Sequence, residues 1–585
     1  MQKSKFLYFL LIVIFFAACN ANKKETNNLK IIATSDIHGS VFPYDFIEDV
    51  PLNGSLSVVS TYLEKARNNK DTTVLLLDNG DILQGQPPVY YYNYIDTSSI
   101  HIMAEIMNFL EYDAATVGNH DIEAGHSVYD KLVDDFNFPW LAANAIEEET
   151  GEPYFKPYTI ITKGTIDIAI LGLITPSVPN WLPSYKYSGI QFNGIKTAAQ
   201  KWMSVIQEKE NPDFIIGLVH SGFGEENNDS LAENAVYDLA KNVQGFNLII
   251  YGHDHQRKNI RIENNEGDSV TIINPGAYAS SVAEVDLQFS TVNNKSSVGK
   301  ISSDIVDISN YEPSESFNEK FSKHKAKIEN FIDEKLTVSP INISTRDAFF
   351  RPSEWMTLIH QVQIETSEAD ISFAAPLSRD KTITKGDITV RDLFKLYRFE
   401  NSLYTIELSG KEIKKYLEYS YGKWFQTMYG ADDYLLNFKK DSTGKPIYSK
   451  DQGYYVLKEP YYNFDSAWGI DYIVDVTEPA GERIEIKQFS NGQAFFMDQY
   501  YEVALNSYRA NGGGGHLTEG VGLDKKEIEE RILAVNNKDI RRLIRKNIEN
   551  QDTLVLNYKE NWTVYPEKWW KQASKRDSLM LFSGR

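Results

Sequence analysis

Five short polar clusters punctuate the first half of the chain, and each begins where a run of β-branched and aliphatic residues stops. They are TSDIHG with Asp36 and His38, DNGD with Asp81, GNHD with Asn119 and His120, LVHSG with His220, and YGHDH with His253 and His255. The preceding runs, such as Ile31–Ala33, Val74–Leu77, Ile215–Val219 and Leu248–Tyr251, are too short for core helices and read as buried strands. The clusters therefore stand at strand ends. In an open α/β sheet, side chains delivered at the carboxyl ends of several strands meet in one crevice, however far apart they lie in the chain.

What meets there is a metal-ligand set. Two aspartates, three or four histidines and an asparagine amide give the mixed oxygen and nitrogen donors that suit two divalent ions such as zinc, manganese or cobalt, with no thiolate among them. A carboxylate can bridge two ions ~3.5–4 Å apart, a pair able to hold both the attacking and the leaving oxygen of an in-line phosphoryl displacement. Asp81, following Gly80 in a tight turn, is the expected bridge. With Asp36 and Asp81 as its charged members, the set leaves roughly two positive charges uncompensated, which suits a phosphate dianion. His101, His126, His324 and His360 fall outside the clusters and read as surface or satisfied core residues. Asp78 and Asp254 stand beside the ligands and either orient a ligand histidine or cap a turn.

On these five motifs the chain resembles the calcineurin-like metallophosphoesterases. The likeness is greatest to the branch that joins such a domain to a nucleotide-recognising one: the 5′-nucleotidases and the bifunctional 2′,3′-cyclic-nucleotide 2′-phosphodiesterase/3′-nucleotidases. The resemblance implies that Asp36, His38, Asp81 and His255 hold one metal, that Asp81, Asn119, His220 and His253 hold the other, and that His120 touches substrate. An aspartate three positions on orients this histidine in 5′-nucleotidases. Here Glu123 takes that place, with Asp121 as the fallback. The implied fold is a four-layer α/β/β/α sandwich, joined by a linker helix to an α+β domain, with metals and nucleobase held by different domains.

A chain of 585 residues, 42% of them hydrophobic, exceeds one ordinary domain. Its net charge of −21 argues against a protein that coats duplex nucleic acid. After Lys3 and Lys5, residues Phe6 to Ala18 form an apolar segment shaped like a signal-peptide core, and the single cysteine, Cys19, sits at the lipoprotein cleavage position. The expected organisation is a lipoprotein signal peptide over 1–19, a tether over 20–28, the metallophosphoesterase domain over 29–308 and a linker helix over 309–335. The substrate domain then runs over 336–550 and an extension over 551–585. The linker carries the spacing Phe317, Phe321, Ile328, Phe331 of an exposed helix, and 290–300 reads as a polar boundary stretch.

The second domain carries the substrate elements. YRFEN offers Phe399 to stack on a base and Asn401 to bond its edge, and NSYRANGGGGH offers Tyr508 as the opposing ring. Arg351 matches a phosphate or ribose contact of the family. Two departures separate the chain from 5′-nucleotidases: Gly514 replaces an aspartate that contacts substrate, and Ala374–Ala375–Pro376–Leu377 replaces an element carrying a phosphate-gripping arginine. Both favour the cyclic phosphodiesterase/3′-nucleotidase branch. The expected enzyme is a monomer at the cell envelope, lipid-anchored on the periplasmic face or the cell surface. It hydrolyses phosphate esters of nucleotides in line, without a covalent enzyme intermediate. A 5′-nucleotidase or UDP-sugar hydrolase is the runner-up, and a non-catalytic nucleotide- or metal-binding lipoprotein the alternative from another class.

Overall fold

The apolar runs of the first half become two six-stranded sheets. The computed structural model describes residues 25–226, 229–292, 295–450 and 452–583; Cys19 and the signal segment lie outside them. In the first sheet the order is Lys295–Asp307, Ser281–Val292, Glu25–Thr34, Thr72–Asp78, Ala114–Thr116, Trp140–Leu141. In the second it is Lys258–Glu263, Ser269–Asn274, Leu248–Tyr251, Phe214–His220, Ile166–Ile174, Tyr158–Lys163. The strands that lead into the polar clusters pair in parallel, which points their carboxyl ends the same way within each sheet.

Period-two alternation packs the sheets together. Leu29, Ile31, Ala33, Leu75 and Leu77 of the first sheet share one buried cluster with Ile168, Ile170, Phe214, Ile216, Leu218, Leu248 and Ile250 of the second. On its other face the second sheet turns Ala169, Leu171, Leu173 and Val219 onto Ile195, Ala199, Met203 and Ile206 of helix Ile195–Lys209. Helix Leu56–Arg67 lies against strand Thr72–Asp78 of the first sheet and buries Leu56, Val58, Val59 and Leu63. Four layers result, α/β/β/α.

Four expected boundaries shift. Glu25–Asn28 already pair with residues 288–291, so strand replaces the last residues of the anticipated tether. The polar stretch over 290–300 is no boundary: it forms the end of a hairpin in which Ser281–Val292 and Lys295–Asp307 pair antiparallel. Two helices, Glu315–Lys320 and Ser322–Ile332, stand in place of one linker helix, and Phe317, Phe321, Ile328 and Phe331 are buried, not exposed. Their spacing marked a packed face.

The last of these shifts concerns the extension over 551–585, which belongs to the second domain's fold. Trp562–Tyr565 adds a parallel strand to Ile470–Asp475, and helix Glu567–Ser583 contributes Ala573, Met580 and Leu581 to the domain core. That core gathers on a five-stranded sheet ordered Ser466–Trp468, Ile371–Ala374, Tyr500–Asn506, Ser402–Ser409, Ile532–Asp539. Helix Gly410–Trp424 buries a stripe of Ile413, Tyr416 and Leu417 against it. The chain divides into two compact units, one of residues up to Val178 plus Ser184–Ala326, the other of Pro179–Pro183 plus Lys327 onward.

Candidate metal centre

Five residues of the polar clusters share an uncommon backbone. Asp36, His38, Asp81, His253 and His255 all have positive φ, between 49° and 73°, where L-residues are strained and where turns can aim side chains back at a strand end. The turns brace one another: Asp36 N–H donates to Gly80 O and His38 N–H to Asp81 O, each at 2.9 Å. Two glycines make room. A Cβ on Gly118 would lie 2.2 Å from Asp81 Oδ1, and one on Gly252 would lie 2.4 Å from Asp36 Oδ2.

The side chains fall into two groups of metal-ligand spacing, Asp36 with His38 and His255, and Asp81 with His220 and His253. In the first, His255 Nε2 lies 3.4 Å from Asp36 Oδ1 and 3.0 Å from His38 Nε2. In the second, His220 Nε2 lies 3.0 Å from Asp81 Oδ2 and 3.2 Å from Asn119 Oδ1, and His253 Nδ1 lies 2.9 Å from the same amide oxygen. The far ring nitrogens are committed: His38 Nδ1 to Gln84 O at 3.0 Å, His220 Nδ1 to Asn79 O at 2.7 Å, and His253 Nε2 to Glu233 Oε1 at 3.0 Å. The remaining nitrogens thus present lone pairs to carboxylate and amide oxygens. Acceptors converging on acceptors call for positive charge between them, which divalent cations supply.

The electrostatics show the same demand for positive charge, which a proton on His220 can also meet. Burial opposes ionisation of Asp81, yet His220 and His120 beside it hold its carboxyl well below the usual range. Burial likewise opposes charge on His220, but Asp81 overrides it and lifts the imidazole to about 10. His38 goes the other way, pushed down to about 4 by burial and by the neighbouring His120 and His255.

His120 sits beside this set, with its N–H donating to Asp81 Oδ1 at 2.8 Å and its Nδ1 2.6 Å from Glu123 Oε2. Burial disfavours its cation, but the carboxylates of Asp81 and Glu123 raise it to about 9. Its side chain is 36% exposed, so the ring reaches solvent. Asp121 does something else. Its carboxylate accepts the backbone N–H groups of Asp81, Ile82, Leu83 and Gly118, tying the DNGD turn to the GNHD turn. Neither Asp78 nor Asp254 holds a histidine: Asp78 accepts from Thr34 and Gly80, and Asp254 from Phe223, Gln256 and Asn274.

Two neighbours lay outside the sequence reading. Glu233 follows no strand. Tyr278 does follow one, in the NPGAY segment after Ser269–Asn274, and its ring centroid lies 5.5 Å from that of His38 and 5.6 Å from that of His255. The strand-then-turn signal could have found Tyr278, though its cluster is apolar.

Within the second unit, Phe399 and Tyr508 are both half-buried. Phe399 meets Tyr462 edge to face at 6.0 Å, adding an aromatic that the sequence had not singled out. Asn401 Nδ2 lies 3.5 Å from Tyr397 Oη. Arg351 is exposed and paired with Asp347 at 2.8 Å. Beneath the glycine-rich loop, buried Arg509 donates to both oxygens of Asp465 and to Gly513 O.

Comparison with known proteins places these features. Residues 29–257 match the calcineurin-like phosphoesterase family and residues 331–519 the 5′-nucleotidase C-terminal domain. The trifunctional nucleotide phosphoesterase YfkN of Bacillus subtilis is 26% identical over 92% of this chain, which spans 39% of that relative's length. The 2′,3′-cyclic-nucleotide 2′-phosphodiesterase/3′-nucleotidase of Salmonella typhimurium is 26% identical over 87% of this chain and 84% of its own. Among solved structures, a 5′-nucleotidase precursor from Thermus thermophilus superposes with a TM-score of 0.59 at 19% identity, covering 92% of this chain and all of that one, which bears on fold alone. The chain therefore belongs to the calcineurin-like phosphoesterases that carry a 5′-nucleotidase C-terminal domain, a family of phosphoric ester hydrolases.

Proposed function

We propose that this protein is a 2′,3′-cyclic-nucleotide 2′-phosphodiesterase/3′-nucleotidase, opening the cyclic ester to a 3′-monophosphate and then releasing nucleoside and phosphate. The observation that carries this choice is the crowding at Gly514. Its backbone has φ 72°, and a Cβ there would lie 2.4 Å from Arg509 Nη1 and 2.7 Å from Asn463 Oδ1. Arg509 cannot swing aside, because it is buried and locked on Asp465. The aspartate that the 5′-nucleotidase resemblance asks for has no room here. The relative from Salmonella, matched over most of both chains, supports the same choice.

Two divalent ions, of zinc, manganese or cobalt, are assigned to Asp36, His38, Asp81 and His255, and to Asp81, Asn119, His220 and His253. When bound they supply positive charge to the phosphoryl group and lower the pKa of the attacking water. His120, its Nδ1 held by Glu123, turns Nε2 toward the leaving oxygen and assists its departure, and the Asn119 amide holds a phosphoryl oxygen. Phe399 and Tyr508 stack on the base, Asn401 bonds its edge and Arg351 meets ribose or phosphate. Acylation of Cys19 anchors the enzyme to the cell envelope; no helix among the described residues is long and apolar enough to cross a membrane.

A 5′-nucleotidase is the second reading, favoured by the match to the 5′-nucleotidase C-terminal domain. Phosphate release from 2′,3′-cyclic, 3′- and 5′-adenosine phosphates, with metal restored after chelation, separates the two. Faster turnover of the 5′-ester than of the 2′,3′-cyclic and 3′-esters would overturn the first reading.

A further inference from the structure

We infer that Glu233 is a positioning residue for the second metal: it fixes His253 so that Nδ1, and not Nε2, faces the cation. The inference rests on the two-metal reading above. Glu233 Oε1 lies 3.0 Å from His253 Nε2, on the side of the ring away from Asn119, whose amide oxygen lies 2.9 Å from Nδ1. An N–H at Nε2 donating to this carboxylate leaves the Nδ1 lone pair for the metal, an arrangement that orients the ring and strengthens it as a ligand.

His38 and His220 obtain the same service from backbone carbonyls of Gln84 and Asn79. Asn79 lies in the DNGD cluster and Gln84 three residues beyond it, and a backbone carbonyl is not lost by substitution. His253 depends on a side chain that is 44% exposed, and its own backbone is strained at φ 73°.

The glutamate is not adventitious, because its backbone is pinned to the end of the strand that delivers His220 and to the end of that strand's neighbour. Glu233 O accepts Ser221 Oγ at 2.6 Å, from the residue after His220, and Thr175 Oγ1 at 3.2 Å, from the residue after strand Ile166–Ile174. Ala235 N–H donates to the same Ser221 hydroxyl at 3.0 Å. Asn234 lies so close that a Cβ on Gly222 would sit 2.2 Å from its side-chain Oδ1 and one on Gly224 would sit 2.0 Å from its backbone O. Residues 221–224 and 233–235 are thus held against one another, and what they fix is a carboxylate against the outer nitrogen of His253.

The test is a Co²⁺ titration of the chelated full chain, followed by visible absorption, for wild type, Glu233→Ala, Glu233→Gln and His253→Ala. The inference expects two sites in wild type. In Glu233→Ala, the site lost in His253→Ala weakens by about 10–100-fold while the other is unchanged. Glu233→Gln recovers most of the loss, because its amide oxygen still accepts from Nε2–H. Equal affinities in Glu233→Ala and wild type overturn the inference and leave the two-metal reading standing. So does a loss shared by both sites, or a lower thermal midpoint of the metal-free Ala variant, since either marks a structural role. Wild-type protein that takes up fewer than two equivalents overturns the two-metal reading itself, and the inference with it.

Discussion

Replacing Gly118 by alanine isolates how closely the Asp81 carboxylate is held. At φ −101° and ψ 169° the backbone accepts alanine without strain, so only contact changes. The new methyl would lie 2.2 Å from Asp81 Oδ1 and 2.4 Å from Asp81 N, where ordinary contact begins at 3.4 Å, so Asp81 must retreat by about 1.2 Å. It cannot do so alone: Asp121 accepts its N–H at 3.0 Å, and its carboxylate accepts from His120 N and faces His220. Overpacking of this kind costs about 1–3 kcal/mol of stability. A shift near 1 Å in a catalytic constellation costs roughly 100-fold in rate, or about 2.7 kcal/mol of transition-state stabilisation. Initial rates of phosphate release, metal content after dialysis and the thermal midpoint would be measured together. We expect kcat/KM to fall about 100-fold in a folded protein with weakened metal retention. A variant with wild-type kcat/KM and two equivalents of metal would refute the claim that the Gly118 contact sets the position of the Asp81 carboxylate.

Three other expectations follow from the same structure. His120→Ala should lower kcat by about 10²–10⁴-fold with both metals retained, and a loss of metal in that variant would move His120 among the ligands. Burial pushes His360 down to about 3, with Asp465 opposing, so the folded chain keeps this imidazole neutral while the unfolded chain protonates it below about 6.5. The folded pKa being depressed, its contribution to stability is full above 6.5 and falls with pH toward 3. His360→Asn should therefore flatten the acid limb of a urea-derived stability curve by about 1.4 kcal/mol per pH unit, and an unchanged slope would contradict this. Asp577→Ala should destabilise the second domain by about 1–3 kcal/mol for each of the two buried N–H groups, Leu435 and Leu436, that lose their acceptor, as read by urea denaturation. A loss under about half a kcal/mol would contradict this.

The candidate ligand set was legible because strand and cluster are both local patterns. A buried strand is written as a short aliphatic run, and the turn after it as a polar cluster, so Asp36, His38, Asp81, Asn119, His220, His253 and His255 could each be found within a few residues of a strand end. Glu123 was legible only through the family resemblance, which asks for an orienting acid three positions after His120; the helix Asn119–Glu123 brings its carboxylate to the ring. The stripe of Phe317, Phe321, Ile328 and Phe331 was legible as a helix but not as a buried one, because periodicity identifies an apolar face without naming what covers it.

By itself, then, the order of residues determined which side chains could ligate and which strands would deliver them, for these depend on neighbours in the chain. Tertiary structure alone decided the rest. It assigned Asp121 to four backbone amides, Glu233 to the outer nitrogen of His253, Tyr278 to the rim beside His38, and the last helix to the core of the second domain. Each of these depends on segments brought together by burial and hydrogen bonding across separate strands and loops, and no spacing within one segment encodes a partner in another.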